Sequence, residues 1–433
     1  MRFFTIGLAG LSLSSALFAA APAGAGDTRT PGAGPTMLSA ASSPEGLEQQ
    51  RLEEFSELLD RAAEKDDFVG FAVAVVERGE IRLLKTYGLR EAGGAAPVTP
   101  DTVFRIASLS KGFAASLAGL AIAEGKIAKT TPVAPFEPQF ALPGGAQSAV
   151  TVEHILSHRV GLPPNAYDNL LEAGEPVEKI LPKFRAVKPI CKVGQCYAYQ
   201  NIAFSMIGDI LAAEYDEPYA DLVRTRIFDP LGMARASVGK EALMASLDWA
   251  RPNTRKRLPA VDGAYTPWKS VDVEDDYYRT PAAGGINASI TDMARWLIAQ
   301  MGGAPAVLPQ SVLDDIHAPV IKTPSETRRW ANLGERITDT QYGLGWRIYD
   351  YAGHTLINHS GGVEGYGAQI AWIPERDIGI VILSNTRAKR VYRILPAFLD
   401  AELGLEDRDW LELEEMQIAS PAETDPIDGD EGG

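Results

Sequence analysis

Apolar positions along this chain keep a helical period in some stretches and a strand-like one in others. Between Leu47 and Ala63, the side chains Leu52, Phe55, Leu59 and Ala62 recur at helical spacing among charged residues. In the following FAVAVVERGEIRLLKTYG, two β-rich runs, 71–76 and 81–87, flank Glu77-Arg78-Gly79-Glu80, which predicts a hairpin. The far end repeats that character. GWRIYDY, HTLINHS, YGAQIAWI and IGIVILSN are four candidate strands, the last two joined by Pro374-Glu375-Arg376-Asp377, and a helical segment follows from Lys389 to Leu403. The long stretch between these ends is mostly helical in period. Ser289-Ile290-Thr291-Asp292 ahead of MARWLIAQM reads as a capping box.

This order predicts an α/β fold of the α+β kind. One antiparallel sheet is built from both chain ends and flanked by helices, with a mainly helical subdomain inserted over residues 112–340 or so. A cleft between sheet and insertion is the expected place for a site. The folded domain is expected over residues 46–403.

Composition changes the picture only at the ends. The chain has 433 residues, 45% hydrophobic and 23% charged, enough apolar material for a large core. Of the formal charge of −16, about −11 lies between Glu402 and Gly433, so 404–433 is expected to be an acidic, disordered tail. The remaining body is mildly acidic, which argues against nucleic-acid binding. Residues 1–25 carry one arginine, an apolar run and Ala23-Gly24-Ala25. That pattern predicts a secretory signal peptide, with an uncleaved anchor as the alternative, and 26–45 reads as a linker. The expected location is periplasmic or secreted, with no stable membrane span once the signal is cut. In such a compartment Cys191 and Cys196, around KVGQ, are either a short disulfide or two free thiols; no zinc pattern surrounds them.

Candidate chemistry begins at FRIASLSKGF. Ser108 and Lys111 stand three apart where a helix is predicted to start, so the amine reaches the hydroxyl. Free N–H groups of the first turn favour negative charge there, and a lysine buried in a helix–sheet seam loses hydration and becomes a base. Ser110 points elsewhere. A second copy of the spacing, Ser237 to Lys240, contains Gly239 and reads as a turn. Tyr199-Gln200-Asn201 opens the helical NIAFSMIGDIL and offers a phenol and an amide; its rival Tyr167-Asp168-Asn169 lies in a Pro- and Gly-rich loop. His359-Ser360-Gly361-Gly362 ends a candidate strand with glycines that admit a substrate.

SLSK, YQN and HSG, in that order, resemble the S-x-x-K, Y-x-N and K/H-S/T-G motifs of the serine β-lactamase and penicillin-binding family. The branch of class C β-lactamases, D-alanyl-D-alanine carboxypeptidases and related esterases is the most similar. HILSHRVGLP, DPLGM, PAAGGINASITDMARW and YGLGW resemble further stretches of that family, so the likeness runs from Phe71 to Asn385. It implies Ser108 as acylated nucleophile, Lys111 as its proton acceptor and Tyr199 as proton shuttle. It also implies backbone N–H groups of Ser108 and Gly362 as oxyanion hole, and Asn201, His359, Ser360 and Gly361 as substrate contacts.

His359 stands where β-lactamases usually carry lysine, and a histidine is largely neutral above its usual pKa of about 6.5. Arg159-Val160 and Val193-Gly194 depart from the family's T-S and P-G. His154 and His158, four apart, suit two metal ligands on a helix, but no H-E-x-x-H accompanies them and no metal is expected. G-x-S-x-G is absent from the sequence. The expected activity is that of an exported serine hydrolase without cofactor. It would act on a small-molecule or peptide amide, β-lactam or D-Ala-D-Ala-type bond. A carboxylesterase and a β-lactam-acylated sensor are the alternatives.

Overall fold

The computed structural model describes residues 44–259, 264–330 and 336–413. The chain divides after Leu47 into two units, and everything below concerns residues 48–413. The predicted signal peptide and linker, up to residue 43, lie outside the described residues, as does the tail from residue 414.

An eight-stranded antiparallel sheet is the backbone of the fold. Its strands are β1 (Gly70–Glu77), β2 (Glu80–Gly88), β3 (Ile321–Lys322), β4 (Ile337–Tyr342), β5 (Arg347–Tyr351), β6 (His354–Val363), β7 (Tyr366–Ile373) and β8 (Ile378–Ser384). They lie in the order β2-β1-β8-β7-β6-β5-β4-β3. The β1–β2 connection is a two-residue turn in which Arg78 and Gly79 both have positive φ, 51° and 76°, as a tight hairpin of this hand demands.

The sheet is buried on both faces, which is why its central strands read as continuous apolar runs. Ala72, Ala74 and Val76 of β1 face one core, with α2 (Ser110–Ala123), α3 (Ile202–Tyr215) and α4 (Ile290–Gln300). Phe71, Val73 and Val75 face the other, under α1 (Pro44–Ala63) and α5 (Lys389–Leu403). Leu52, Phe55, Leu59 and Ala62, the helical-period residues of α1, are all buried there. The capping box at α4 is present: Ser289 Oγ accepts from the Asp292 N–H at 3.1 Å, and Asp292 Oδ2 accepts from the Ser289 N–H at 3.1 Å.

Two expectations need correction. The inserted region stops earlier than 340, because β3 and β4 extend the sheet; ITDTQY is partly polar on both faces and lacks the apolar run that marks the other strands. Residues 405–413, assigned by charge to the tail, pack on the α1–α5 core through Leu405, Trp410, Leu411 and Leu413. Trp410 Nε1 also donates to Asp400 at 2.8 Å. A few apolar anchors outweigh the acidic side chains between them, which stay in water.

Candidate active site

The turn that carries Ser108 is held from three directions. A short strand Val103–Arg105 pairs with Ile286–Ser289, and the Ile106 N–H donates to Ile286 O at 3.1 Å. Ala107 then takes φ 49°, a left-handed conformation that a residue with a Cβ adopts only under constraint. Ser110 Oγ donates to Ala107 O at 2.7 Å and accepts from the Ile286 N–H at 3.0 Å, so this buried serine locks the turn. The third support is β6. A Cβ added to Gly361 would lie 2.4 Å from Ile106 O and 3.2 Å from the Ser108 nitrogen, so only glycine lets the strand come this close.

One helical step on, Lys111 is fully buried. Its Nζ lies 2.7 Å from Asn201 Oδ1, 2.9 Å from Ala283 O and 3.3 Å from Ser108 Oγ. Burial pushes its pKa well below the usual lysine value, the Arg347 charge adds to that, and Asp168 opposes it. A neutral amine has two N–H donors and one lone pair. The two short contacts are to carbonyl oxygens, which can only accept, so they take both donors and leave the lone pair toward the Ser108 hydroxyl.

Tyr199 closes the triangle. Its ring centroid is 4.8 Å from Lys111 Nζ, and it lines the cleft together with Ser108. Burial raises the phenol above its ordinary pKa, against the opposing pull of Arg347 and of the neighbouring Ser108 hydroxyl. The Ala198 N–H donates to His158 O at 2.9 Å, the Gln200 N–H to His158 Nδ1 at 3.2 Å, and the Asn165 N–H to Tyr199 O at 2.8 Å. Cys191 and Cys196 are disulfide-bonded just ahead of Tyr199, and the Gly194 N–H of that small ring donates to Arg159 O at 2.8 Å.

Behind Tyr199 runs a buried chain whose directions are fixed by its ends. Because the Gln200 N–H occupies His158 Nδ1, His158 donates from Nε2 to the Tyr342 oxygen at 3.1 Å. Tyr342 therefore donates to His359 Nε2 at 3.2 Å, and His359 donates from Nδ1 to Ser360 O at 2.9 Å. Each ring nitrogen is used once, and both histidines are neutral, with pKa values well below the ordinary one because of burial.

Ser108, Tyr199, Asn201 and Gly362 line a cleft of about 1210 Å³. Residues 54–404 match the family model named Beta-lactamase. The chain belongs to the beta-lactamase family. Among curated relatives, an unguisins hydrolase of Aspergillus violaceofuscus is 26% identical over 79% of this chain and 63% of its own length. A second from Aspergillus campestris is 28% identical over 77% and 61%, so the chain spans about 60% of the length of these two relatives. A Pseudomonas fluorescens beta-lactamase is 23% identical over 77% of this chain and 93% of its own. Among solved structures, an octameric penicillin-binding protein homologue from Pyrococcus abyssi has TM-score 0.70 at 24% identity, covering 82% of this chain and 78% of its own. A class C beta lactamase has TM-score 0.65 at 22% identity, over 83% and 99%. These structures share the fold.

Within that family fold, the structure brings Ser108, Lys111, Tyr199, Asn201 and the Gly362 backbone together and treats the other expected contacts differently. His359, 1% exposed, stands behind Tyr199 with both nitrogens occupied. Ser360 sits on the opposite side of β6, lining a small crevice with Tyr392 and Leu395 of α5. Direct side-chain contact with substrate at these two positions is therefore corrected, since alternation along the strand turns Ser360 away and hydrogen bonding consumes His359. Gly361 supports the Ser108 turn. Ser237 sits on a short strand against Asn287, and Ser237 and Lys240 line none of the cleft. His154 accepts from the Thr151 N–H and His158 is buried in the chain above, so the pair serves separate hydrogen bonds.

Three residues were missed. Asp168 accepts from Asn201 Nδ2 at 2.7 Å and orients that amide. Tyr342 joins the two histidines. Arg347, 8% exposed, places its guanidinium 5.4 Å from the Tyr199 ring and pairs with Glu326 at 2.9 Å. Asp168 stood in the rejected Tyr167-Asp168-Asn169 motif, which was a usable signal. Arg347 directly follows YGLGW, and only the folded sheet shows what it faces.

Proposed function

We propose that the protein is an exported serine hydrolase that works through an acyl-enzyme on amide, β-lactam or D-Ala-D-Ala-type peptide bonds. The observation that carries this reading is the setting of Lys111, a buried amine whose lone pair is left for the Ser108 hydroxyl. Ser108 Oγ gives its proton to Lys111 Nζ and bonds to the substrate carbonyl carbon. The carbonyl oxygen, now negative, is held by the backbone N–H groups of Ser108 and Gly362, an arrangement worth several kcal/mol in such sites. Tyr199, kept protonated by burial, gives its proton to the leaving group as the scissile bond breaks and is reprotonated from Lys111. Water activated through the same phenol then releases the acid and frees Ser108. Burial thus favours the neutral amine and the neutral phenol, which suits a base and an acid side by side.

Export is supported by the signal-like N-terminal sequence and by the Cys191–Cys196 disulfide, which suits a periplasmic or secreted setting.

A carboxylesterase is the second reading, favoured by His359. A neutral ring at the place where β-lactamases usually carry lysine offers no permanent cation for a substrate carboxylate. Nitrocefin, p-nitrophenyl esters and a D-Ala-D-Ala peptide assayed together separate the readings. Ester turnover alone selects the esterase, and labelling at Ser108 without turnover selects a sensor. Activity retained in Ser108→Ala removes the nucleophile proposed here.

A further inference from the structure

Among the described residues, the basic side chains around the Tyr199 ring come from four different segments. Lys111 Nζ lies 4.8 Å from the ring centroid and the Arg347 guanidinium 5.4 Å from it, while the rings of His158 and His359 are centred 4.3 and 6.2 Å away. Burial holds the lysine and both histidines neutral. A guanidinium keeps its proton in a protein, so Arg347 supplies the fixed positive charge. His359 fills the β6 position where β-lactamases usually carry lysine. Arg347 lies one strand over on β5, its backbone paired with Asn358, the neighbour of His359.

This cation is anchored but not fully compensated. Its Nη1 lies 2.9 Å from Glu326 Oε2 and donates to the Tyr349 oxygen at 3.2 Å, whereas its Nε is buried with no hydrogen-bond partner. For packing alone an apolar pair would serve as well or better, because a buried ion pair seldom recovers its desolvation cost. The other titratable groups packed around it are the phenols of Tyr197, Tyr342 and Tyr349, which burial keeps protonated. Asp168 lies on the far side of Lys111, reached through Asn201.

We propose that Arg347 is a positioning residue for the proton relay, steadying the negative charge left on Tyr199 when that phenol gives its proton to the leaving group. This rests on the serine-hydrolase reading above and says where this chain keeps the cation of its site. A positive charge behind the pair acts on both members in one sense. The proton that Lys111 takes from Ser108 is repelled, and the phenolate is attracted until the lysine's proton restores it. Arg347 itself exchanges no proton.

The test is Arg347→Met, read as kcat/KM across pH for p-nitrophenyl butyrate and phenyl butyrate. Without the Arg347 charge Lys111 holds its proton to higher pH, so the acidic limb is expected to rise by about one pH unit, the scale of a buried charge a few ångströms away. Loss of the Asp168 charge would move the same limb the other way. A p-nitrophenolate leaves without needing a proton, and an unsubstituted phenolate leaves less readily. The loss with the phenyl ester is therefore expected to exceed that with the nitrophenyl ester by about fivefold or more. A merely structural role lowers both esters together and leaves the limb in place; that result, or a limb that falls, overturns the proposal. Should Arg347→Met fail to fold because Glu326 is left unpaired, Arg347→Met combined with Glu326→Gln removes both charges and carries the same expectations. If neither ester turns over, the pH dependence of Ser108 labelling by a fluorophosphonate reads the same limb. Turnover or labelling that is lost in Ser108→Ala, with a limb unmoved by Arg347→Met, overturns this inference alone. No turnover and no labelling in the unaltered protein brings down the hydrolase reading as well.

Discussion

Asn201 meets Lys111 with its oxygen: Oδ1 lies 2.7 Å from Nζ, and the amide is held that way round because Nδ2 donates to Asp168 at 2.7 Å. Reversed, the amide would set N–H against N–H. The lysine is thus oriented by a residue that never touches it.

Asp168→Asn is expected to lower kcat by about tenfold, the scale of one misdirected charged hydrogen bond, because an asparagine can offer the Asn201 amide a donor. The sign of the accompanying pH shift follows from charge. The Asp168 carboxylate raises the Lys111 pKa, so its removal moves the acidic limb of kcat/KM to lower pH. A pH profile of the variant checks both, and a limb that stays put or moves up contradicts the coupling.

Lys111→Arg should abolish turnover, by roughly a thousandfold or more, since a guanidinium stays protonated throughout the working range. In the unaltered protein kcat/KM should rise as Lys111 loses its proton, at a pH well below the ordinary lysine value. Steady-state rates across pH measure both.

Tyr342→Phe leaves His158 Nε2–H and His359 Nε2 facing a ring that can neither accept nor donate. The expected loss of stability is about 2 kcal/mol, read as a lower denaturant midpoint at unchanged slope. His359→Lys should also destabilise, because it removes a buried ring whose two nitrogens hold hydrogen bonds to Tyr342 and to Ser360 O. The family's lysine therefore cannot be restored by one substitution.

Gly361→Ala should cut activity more than stability. The new methyl would press on Ile106 O and the Ser108 nitrogen, the backbone of the turn that aims the nucleophile. Comparing kcat/KM with the melting temperature separates the two effects.

Replacing both Cys191 and Cys196 with alanine removes a small covalent ring. The chain-entropy model puts the loss at about 2 kcal/mol. Because the ring leads directly into Tyr199, kcat is expected to fall as well, and thermal denaturation with an activity assay tests the pair of effects.

What could be read before folding was what one helix or strand carries by itself. Ser108 and Lys111 are one helical step apart, β1 and β2 are joined by a turn with the right residues, and α4 carries its own cap. Asp168 and Asn201 are 33 positions apart, and Tyr342 and His158 are 184 apart, so no local pattern joins them. The role of His359 escaped for another reason. A strand's alternation tells which side a residue faces but not whether its nitrogens are already taken. Strand β4 was missed because TDTQ looks like a loop until β5 supplies its partner.

Strand β1 lies between β2 and β8, and β8 is made from Ile378–Ser384, near the other end of the chain. During synthesis the early hairpin must wait, one long edge open, until the residues of β8, some 300 positions later, have emerged. A chain that assembles so late stays threadable for most of its production, and it spends that time dependent on whatever keeps an exposed apolar strand from joining the wrong neighbour.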